Sequence, residues 1–405
     1  MIAARLNKRA FLVLTGLLLA IGVPGAYFGI DRWFSHWLWL NDMHYFYDAA
    51  KVVLDGHRDI LYDYQARFDA GYGLDPNDQV FPYPATAAYL FSPLTLTSVA
   101  NARYWFTGFC ILLLVAIAVI GAIWSRDLRF GLLLMLLPAS SFTVYETLRF
   151  QQLSPVLALM LSASLLTAAS TRSVAGGFVT SLLALKPSIA AAPLGLIALR
   201  RGHRQIAAAI LGGALIFILI PLVVVGIDGI FDYLEMLSRY RNESFTLHGK
   251  LTAGAGWMLG WQSIVGRLGQ SDPNVYLVVG LDILTVLVML KVWLRGRYFE
   301  SYLAGTLTTL LVVPHVLWYD WTILIGVAPF VAYENRSLPL VGLLLALHAA
   351  ISFDSYMIVT RPIFDAYPVP TPLLAGAILL YLAFAPLSAR DAPSRVENDQ
   401  LMTAT

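Results

Sequence analysis

The chain has 405 residues, 58% of them hydrophobic and 13% charged, with a formal net charge of +2 and a mean hydropathy of +0.69. Soluble domains carry about a quarter charged residues, so no water-soluble fold hides this much apolar surface, and the bilayer must be the solvent for most of it. The small charge, scattered over segment ends without a basic stripe, speaks against a nucleic-acid partner; the single Cys110 excludes internal disulfides and argues against a cysteine metal site.

The chain opens with Arg5, Lys8 and Arg9 ahead of an apolar run that continues to Ile30. No clean small-x-small cleavage site follows, so the run reads as a retained first membrane helix and not as a signal peptide. Further apolar stretches of spanning length lie at 104–124, 129–146, 152–170, 205–226, 276–294, 300–317, 319–334, 337–352 and 371–388. Lysine and arginine mark the cytoplasmic ends: Arg126 and Arg129, Arg172, then the cluster Arg200, Arg201, His203 and Arg204, and later Arg295, Arg297, Arg336 and Arg390.

One stretch, 174–199, has basic residues of the same side at both ends, so it cannot be a single crossing. Lys186-Pro187 breaks it in the middle. Proline disfavours helix at the residue before it, and a lysine in mid-membrane is costly. The stretch therefore reads as two half-helices, 174–185 and 188–199, that rise and return with Lys186 at the apex. At 1.5 Å per residue each arm spans only about 17 Å.

The whole is an all-α polytopic membrane protein, one domain over 1–390, with about twelve membrane segments, cytoplasmic termini and a cytoplasmic tail over 391–405. Two long extracytoplasmic loops, 31–103 and 227–275, are expected to carry amphipathic helices along the membrane surface. The only outer N-x-S/T sequon is Asn242-Glu-Ser244 and no eukaryotic retention signal is present, which favours a bacterial plasma membrane.

Polar residues inside or beside apolar runs collect on the outer side: Asp42, Asp48, Glu146, Arg149, Gln151, Gln152, Lys186, His315 and Asp320. Ionisable groups at membrane depth mark functional sites, and their gathering on one face points to one outward-facing site. Each also has a plain structural reading. Asp42 and Asp48 fit a solvated loop, Lys186 could snorkel, and His315 and Gln152 could satisfy helix ends. Asp320 could pair with Arg149 or cap a helix. The tryptophans, Trp33, Trp37, Trp39, Trp257 and Trp261, are most simply interfacial anchors.

Four blocks in order carry a family resemblance. They are Asp42-Met-His-Tyr-Phe-Tyr47-Asp48 with Asp55-Gly56 and Leu61-Tyr62-Asp63; Phe81-Pro-Tyr83-Pro84 with Phe91-Ser-Pro93; Gly176-Gly177 through Lys186-Pro187 to Arg200-Arg201; and Val313-Pro314-His315 with Tyr319-Asp320. Over about 40–335 the chain resembles glycosyltransferase family 87, whose members have the GT-C fold and include polyprenol-phosphate-mannose-dependent α-mannosyltransferases. It departs from the family in two places. A common Gly-Gln pair is Gln151-Gln152 here, and a common Asn-Gln pair is Trp261-Gln262.

The resemblance implies transfer of a hexose, mannose first, from a polyprenyl-phosphate donor to a lipid or glycan acceptor on the extracytoplasmic face, with inversion. Such chemistry needs a base for the acceptor hydroxyl, cationic groups for the departing phosphate, and polar and aromatic groups for a sugar of oxocarbenium character. Asp42 matches the family's loop-one aspartate and is the expected base. Lys186, with Arg149 and His315 behind it, is expected to hold the donor phosphate. Tyr47, Asp48, Tyr83, Gln152, Trp261 and Asp320 are the expected sugar and acceptor ligands. No Asp-x-Asp stands in the first loop, where Asp75-Pro-Asn-Asp78 lacks that spacing, so neither metal nor cofactor is expected. The expected partners are the donor, the acceptor and membrane lipids, with a monomer sufficient. The alternatives are a GT-C enzyme using arabinose or glucose carriers, a polar-lipid flippase, or a non-catalytic scaffold of an envelope-building complex. A flippase would show internal repeats, and none is visible.

Overall fold

The computed structural model describes residues 7–35, 43–72, 81–170, 174–199, 203–246, 259–269, 274–295, 297–313, 316–360 and 370–385. Regular structure among these is helical, with no strand. Asp42 and His315, with Asp75, Asp78 and Trp257, lie outside the described residues. In chain order the helices are α1 Lys8–Ser35, α2 Met43–Leu54, α3 Tyr64–Asp69, α4 Ala85–Leu90, α5 Val99–Ser125, α6 Leu128–Ala139, α7 Phe142–Arg149, α8 Ser154–Ser170 and α9 Val174–Ser181. They continue with α10 Pro187–Leu199, α11 His203–Ala214, α12 Ile220–Thr246, α13 Trp261–Gly269, α14 Val275–Leu294, α15 Tyr298–Val312, α16 Ala328–Asn335, α17 Leu338–Thr360 and α18 Pro370–Phe384.

Five spans are long and apolar enough to cross a membrane: α1 over Lys8–Ile30, α5, the run Arg204–Ser238, α14, and α17 over Leu338–Val359. A sixth is added if α6 and α7 form one bent span, their axes meeting at 66°. This replaces the straight helix expected over 129–146. Pro138 sits at the end of α6, and Ser140 and Ser141 leave helical geometry, so the chain turns before α7 starts. The remaining predicted spans are shorter apolar helices, α8 to α10 and α18 among them.

The stretch expected as a helix over 319–334 is also different. Residues Trp318–Gly326 form a 3-10 helix, followed by α16. A 3-10 helix rises about 2.0 Å per residue and eclipses positions three apart, so it is long, thin and three-ridged. Its Asp320–Ile323–Gly326 ridge ends against α8. A Cβ at Gly326 would collide with the Ala158 carbonyl, and Ser162 Oγ donates to the Gly326 carbonyl at 2.9 Å. The Trp321–Leu324 and Thr322–Ile325 ridges line an apolar cavity of ≈ 170 Å³ between α1, α6 and α17.

The packing of α9 fixes the course of the central stretch. Gly177 touches Gln205 and Ala208, and Ser181 touches Gly212, so α9 and α11 run parallel. The intervening α10 must therefore run back antiparallel to both, and the chain reverses at Lys186. Its backbone there (φ −130°, ψ 86°) is outside the helical region, as a residue before proline prefers. The returning arm packs on α15, where Ala192 faces Gly305, and Trp293 fills the space over Gly195 and Gly305.

The described residues of the first long loop form a folded lobe. Amphipathic α2, as expected of this loop, buries Met43, Phe46, Tyr47, Ala49, Ala50 and Val53 in protein. Phe46 meets Phe81, Tyr83, Phe91 and Phe106 with ring centroids 4.5–6.4 Å apart. Tyr62 packs on Tyr233 of α12 at 5.0 Å, joining the two long loops.

Candidate active site

Three elements converge where the polar residues gather: the reversal at Lys186, the start of the 3-10 helix at Trp318–Asp320, and the C-terminal end of α7. Lys186 forms an ion pair with Asp320, 134 positions away. Asp320 is sealed, at 2% side-chain exposure, while Lys186 keeps 21%. The second carboxylate oxygen of Asp320 accepts the Leu317 N–H at 3.1 Å, capping the 3-10 helix. Thus the one acid orients both the hairpin apex and the turn that follows residues 313–315. The lysine at the apex is thus held by a carboxylate of the same chain.

Arg149 is held by its own helix. Its Nε donates to both Glu146 oxygens at 3.1 Å, and Nη2 reaches Oε2 at 2.5 Å. The suggested Arg149–Asp320 pair is replaced by these two separate pairs. The i,i+3 spacing of Glu146 and Arg149 puts them on one helix face, a signal readable in advance. Glu146 is fully buried. The Arg149 guanidinium lies 4.3 Å from the Phe150 ring centroid. Phe150 in turn meets Trp318 at 5.6 Å and Tyr319 at 6.2 Å, so an aromatic step connects the two ion pairs. Thr147 bonds Thr322 at 2.8 Å and locks α7 to the 3-10 helix.

The turn after α7 accounts for one departure from the family pattern. Gln152 N–H donates to the Thr147 carbonyl at 3.1 Å and Gln151 N–H to the Leu148 carbonyl at 3.2 Å. Gln151 has φ 56°. This is the Schellman arrangement that ends helices on a left-handed residue, usually glycine. Gln151 occupies the position where the resemblance has glycine. Its side-chain amide donates to the Arg103 carbonyl at 3.2 Å and the Thr107 hydroxyl at 3.4 Å. The departure is thus met by local bonds, with the backbone path kept.

Arg103 also meets His44 of α2, which ties the lobe to this turn. A guanidinium only donates, so the facing His44 nitrogen accepts. Burial first, and Arg103 second, pull the His44 pKa down to about 4 and keep the ring neutral. This helix starts one residue after Asp42 in the chain. Asp48, further along α2, is buried beside Arg67; burial pushes its pKa up to about 6, against the opposing pull of Arg67 and Lys51. His44, Arg67 and Arg103 were not singled out from sequence, because partners 59 positions apart leave no local pattern.

The other expected ligands are placed in packing. Tyr47 donates its hydroxyl to the Thr97 carbonyl at 2.9 Å. The Tyr83 carbonyl accepts from Tyr62 at 3.2 Å. Trp261 donates Nε1–H to Thr285 at 2.8 Å and lies against Gly376 of α18. Gln152 is buried, and its carbonyl faces the Cys110 thiol. Lys186 and Asp320 come together, and Arg149 is linked to their segment through Phe150 and Tyr319, whereas Tyr47, Tyr83 and Trp261 lie in aromatic or interhelical contacts.

These observations describe an integral membrane protein, all-α among its described residues, with one ion pair at the reversal of a broken helix and a second on α7, the helix that packs on the same 3-10 segment. A model of glycosyltransferase family 87 matches residues 81–314, more than half of the chain. The chain belongs to glycosyltransferase family 87 and is a membrane glycosyltransferase. The matched segment contains Arg149, Gln152, Lys186 and Trp261, while Asp42 and Asp320 fall outside it. No curated protein and no solved structure gives a match.

Proposed function

We propose that this glycosyltransferase moves a hexose, mannose first among them, from a polyprenyl-phosphate carrier to a lipid or glycan acceptor on the extracytoplasmic face of a bacterial plasma membrane. The supporting observation is Lys186. It stands where an apolar hairpin reverses, it is oriented by a sealed carboxylate, and a fifth of its side chain stays open. A phosphodiester anchored in the same membrane can approach from that open side. Arg149, stacked on the Phe150 ring that meets Tyr319, is the proposed second cation, and His315 the proposed third group.

In the proposed reaction the acceptor hydroxyl attacks the anomeric carbon on the face opposite the phosphate. Asp42 takes the hydroxyl proton. The bond from the anomeric carbon to the phosphate oxygen breaks, and the electron pair leaves with the polyprenyl phosphate. The configuration inverts. The leaving phosphate gains negative charge as the bond breaks, so cations fixed in a low-dielectric site stabilise the transition state more than the donor. These cations supply the charge that a metal would otherwise bring, and the reading includes no metal.

The test is transfer of radiolabelled mannose from polyprenyl-phosphate-mannose to membrane lipids by purified protein, with and without a chelator. Labelled lipid, insensitive to chelator and absent with Asp42→Ala, is the expected outcome. Equal label with wild type and variant would remove Asp42 from the mechanism. No label with either, followed by label from an arabinose or glucose carrier, would replace the sugar and keep the reaction class.

A further inference from the structure

We infer that Asp320 is a positioning residue for the donor phosphate, acting through Lys186 and not by touching sugar or acceptor. The inference rests on the reading of Lys186 as a phosphate ligand and goes beyond it by assigning the acid its task. Both carboxylate oxygens are engaged, one on the Lys186 ammonium and one on the Leu317 N–H. Asp320 is sealed on a ridge that ends against α8, so no oxygen is left to face a sugar hydroxyl. Its two bonds join segments that are far apart in sequence, the hairpin apex and the turn after 313–315. Lysine carries a long stem with many rotamers. A buried counter-ion removes most of that freedom and places the ammonium before the phosphate arrives, which is how preorganised sites work.

The inference separates cleanly from plain electrostatics. A bystander carboxylate repels an incoming phosphate, so neutralising it would tighten binding. A positioning carboxylate does the opposite, because its loss frees the lysine. A purely structural ion pair would lower the melting temperature and leave affinity unchanged in the protein that stays folded.

The experiment titrates a polyprenyl monophosphate in mixed micelles against purified wild type, Asp320→Asn, Asp320→Glu and Lys186→Gln, following tryptophan fluorescence and the melting temperature. This readout needs no knowledge of the sugar. The expected result is at least tenfold weaker binding for Asp320→Asn, with partial recovery in Asp320→Glu. Asp320→Asn that binds as tightly as wild type, or more tightly, overturns the inference. If Lys186→Gln also keeps wild-type affinity, the phosphate reading itself fails. If Lys186→Gln is defective while Asp320→Asn is normal, only the positioning role is lost. Should Asp320→Asn not fold, amide exchange of the wild type decides. Polyprenyl phosphate is then expected to protect 183–186 and 317–320 together, and protection of the first without the second overturns the inference.

Discussion

Glu146 and Arg149 show how a membrane-depth charge survives. A buried carboxylate stripped of its partner costs about 3–5 kcal/mol, whereas replacing both partners by apolar groups can be nearly neutral. Arg149→Met alone is therefore expected to cost about 3 kcal/mol of stability, lowering folded yield and melting temperature, and the double replacement Glu146→Leu with Arg149→Met to recover most of it. Melting temperatures of the purified variants check this; a double variant as unstable as the single would refute the pairing. Asp48 has the opposite electrostatic character. Its folded pKa, pushed up to about 6 by burial, exceeds its ordinary value, so the native state binds the proton more tightly than the unfolded chain. The associated stability is complete below about pH 4 and lost as pH rises through 6. Asp48→Asn should flatten the melting temperature between pH 5 and 7.5 and raise it at the upper end, where the gain in stability is up to about 2 kcal/mol. A variant with the wild-type pH slope would show that another group carries it.

Two elements depend on close approach. The hairpin arm α9 lies on α11 through Gly177, where a Cβ would meet the Gln205 carbonyl, and the 3-10 helix lies on α8 through Gly326, where a Cβ would meet the Ala158 carbonyl. Backbone atoms cannot rotate out of the way as side chains can, so either alanine must separate the elements. Overpacking of this kind costs about 1–3 kcal/mol. Gly326→Ala should also disturb Lys186, because Asp320 sits on the same ridge, and so reduce both stability and polyprenyl-phosphate binding. Gly326→Ala with wild-type binding and melting temperature would mean that α8 does not set the height of the 3-10 helix. At this scale the reversal at Lys186 was legible, since proline after lysine in an apolar run has few other readings. The 3-10 helix was not. Trp318–Asn335 is apolar enough and long enough to pass for an ordinary span, and only the fit of Gly326 on Ala158 and the Asp320 cap select the thinner form.

For the whole molecule, orientation is the property most open to direct test. Cys110 is buried, so an introduced cysteine can be read against a low background. Cysteine at Lys51, exposed on the lobe, should react with a membrane-impermeant maleimide on intact cells. Cysteine at Arg336, where the chain turns left-handed after α16, should react only after the membrane is opened. The reverse pattern would invert the topology and with it the side of the proposed reaction. The sequence by itself determined the solvent, the helical class and the reversal at Lys186, because apolar length, basic ends and a proline are local properties. It also pointed to Lys186, Arg149 and Asp320 as a polar group in an apolar chain. Only the tertiary structure decided their partners: Lys186 with Asp320 and Arg149 with Glu146, against the Arg149–Asp320 alternative. An ion pair is chosen by distance and burial in the folded state, and residues 134 apart in the chain come within reach of each other only when α7, the hairpin and the 3-10 helix have packed.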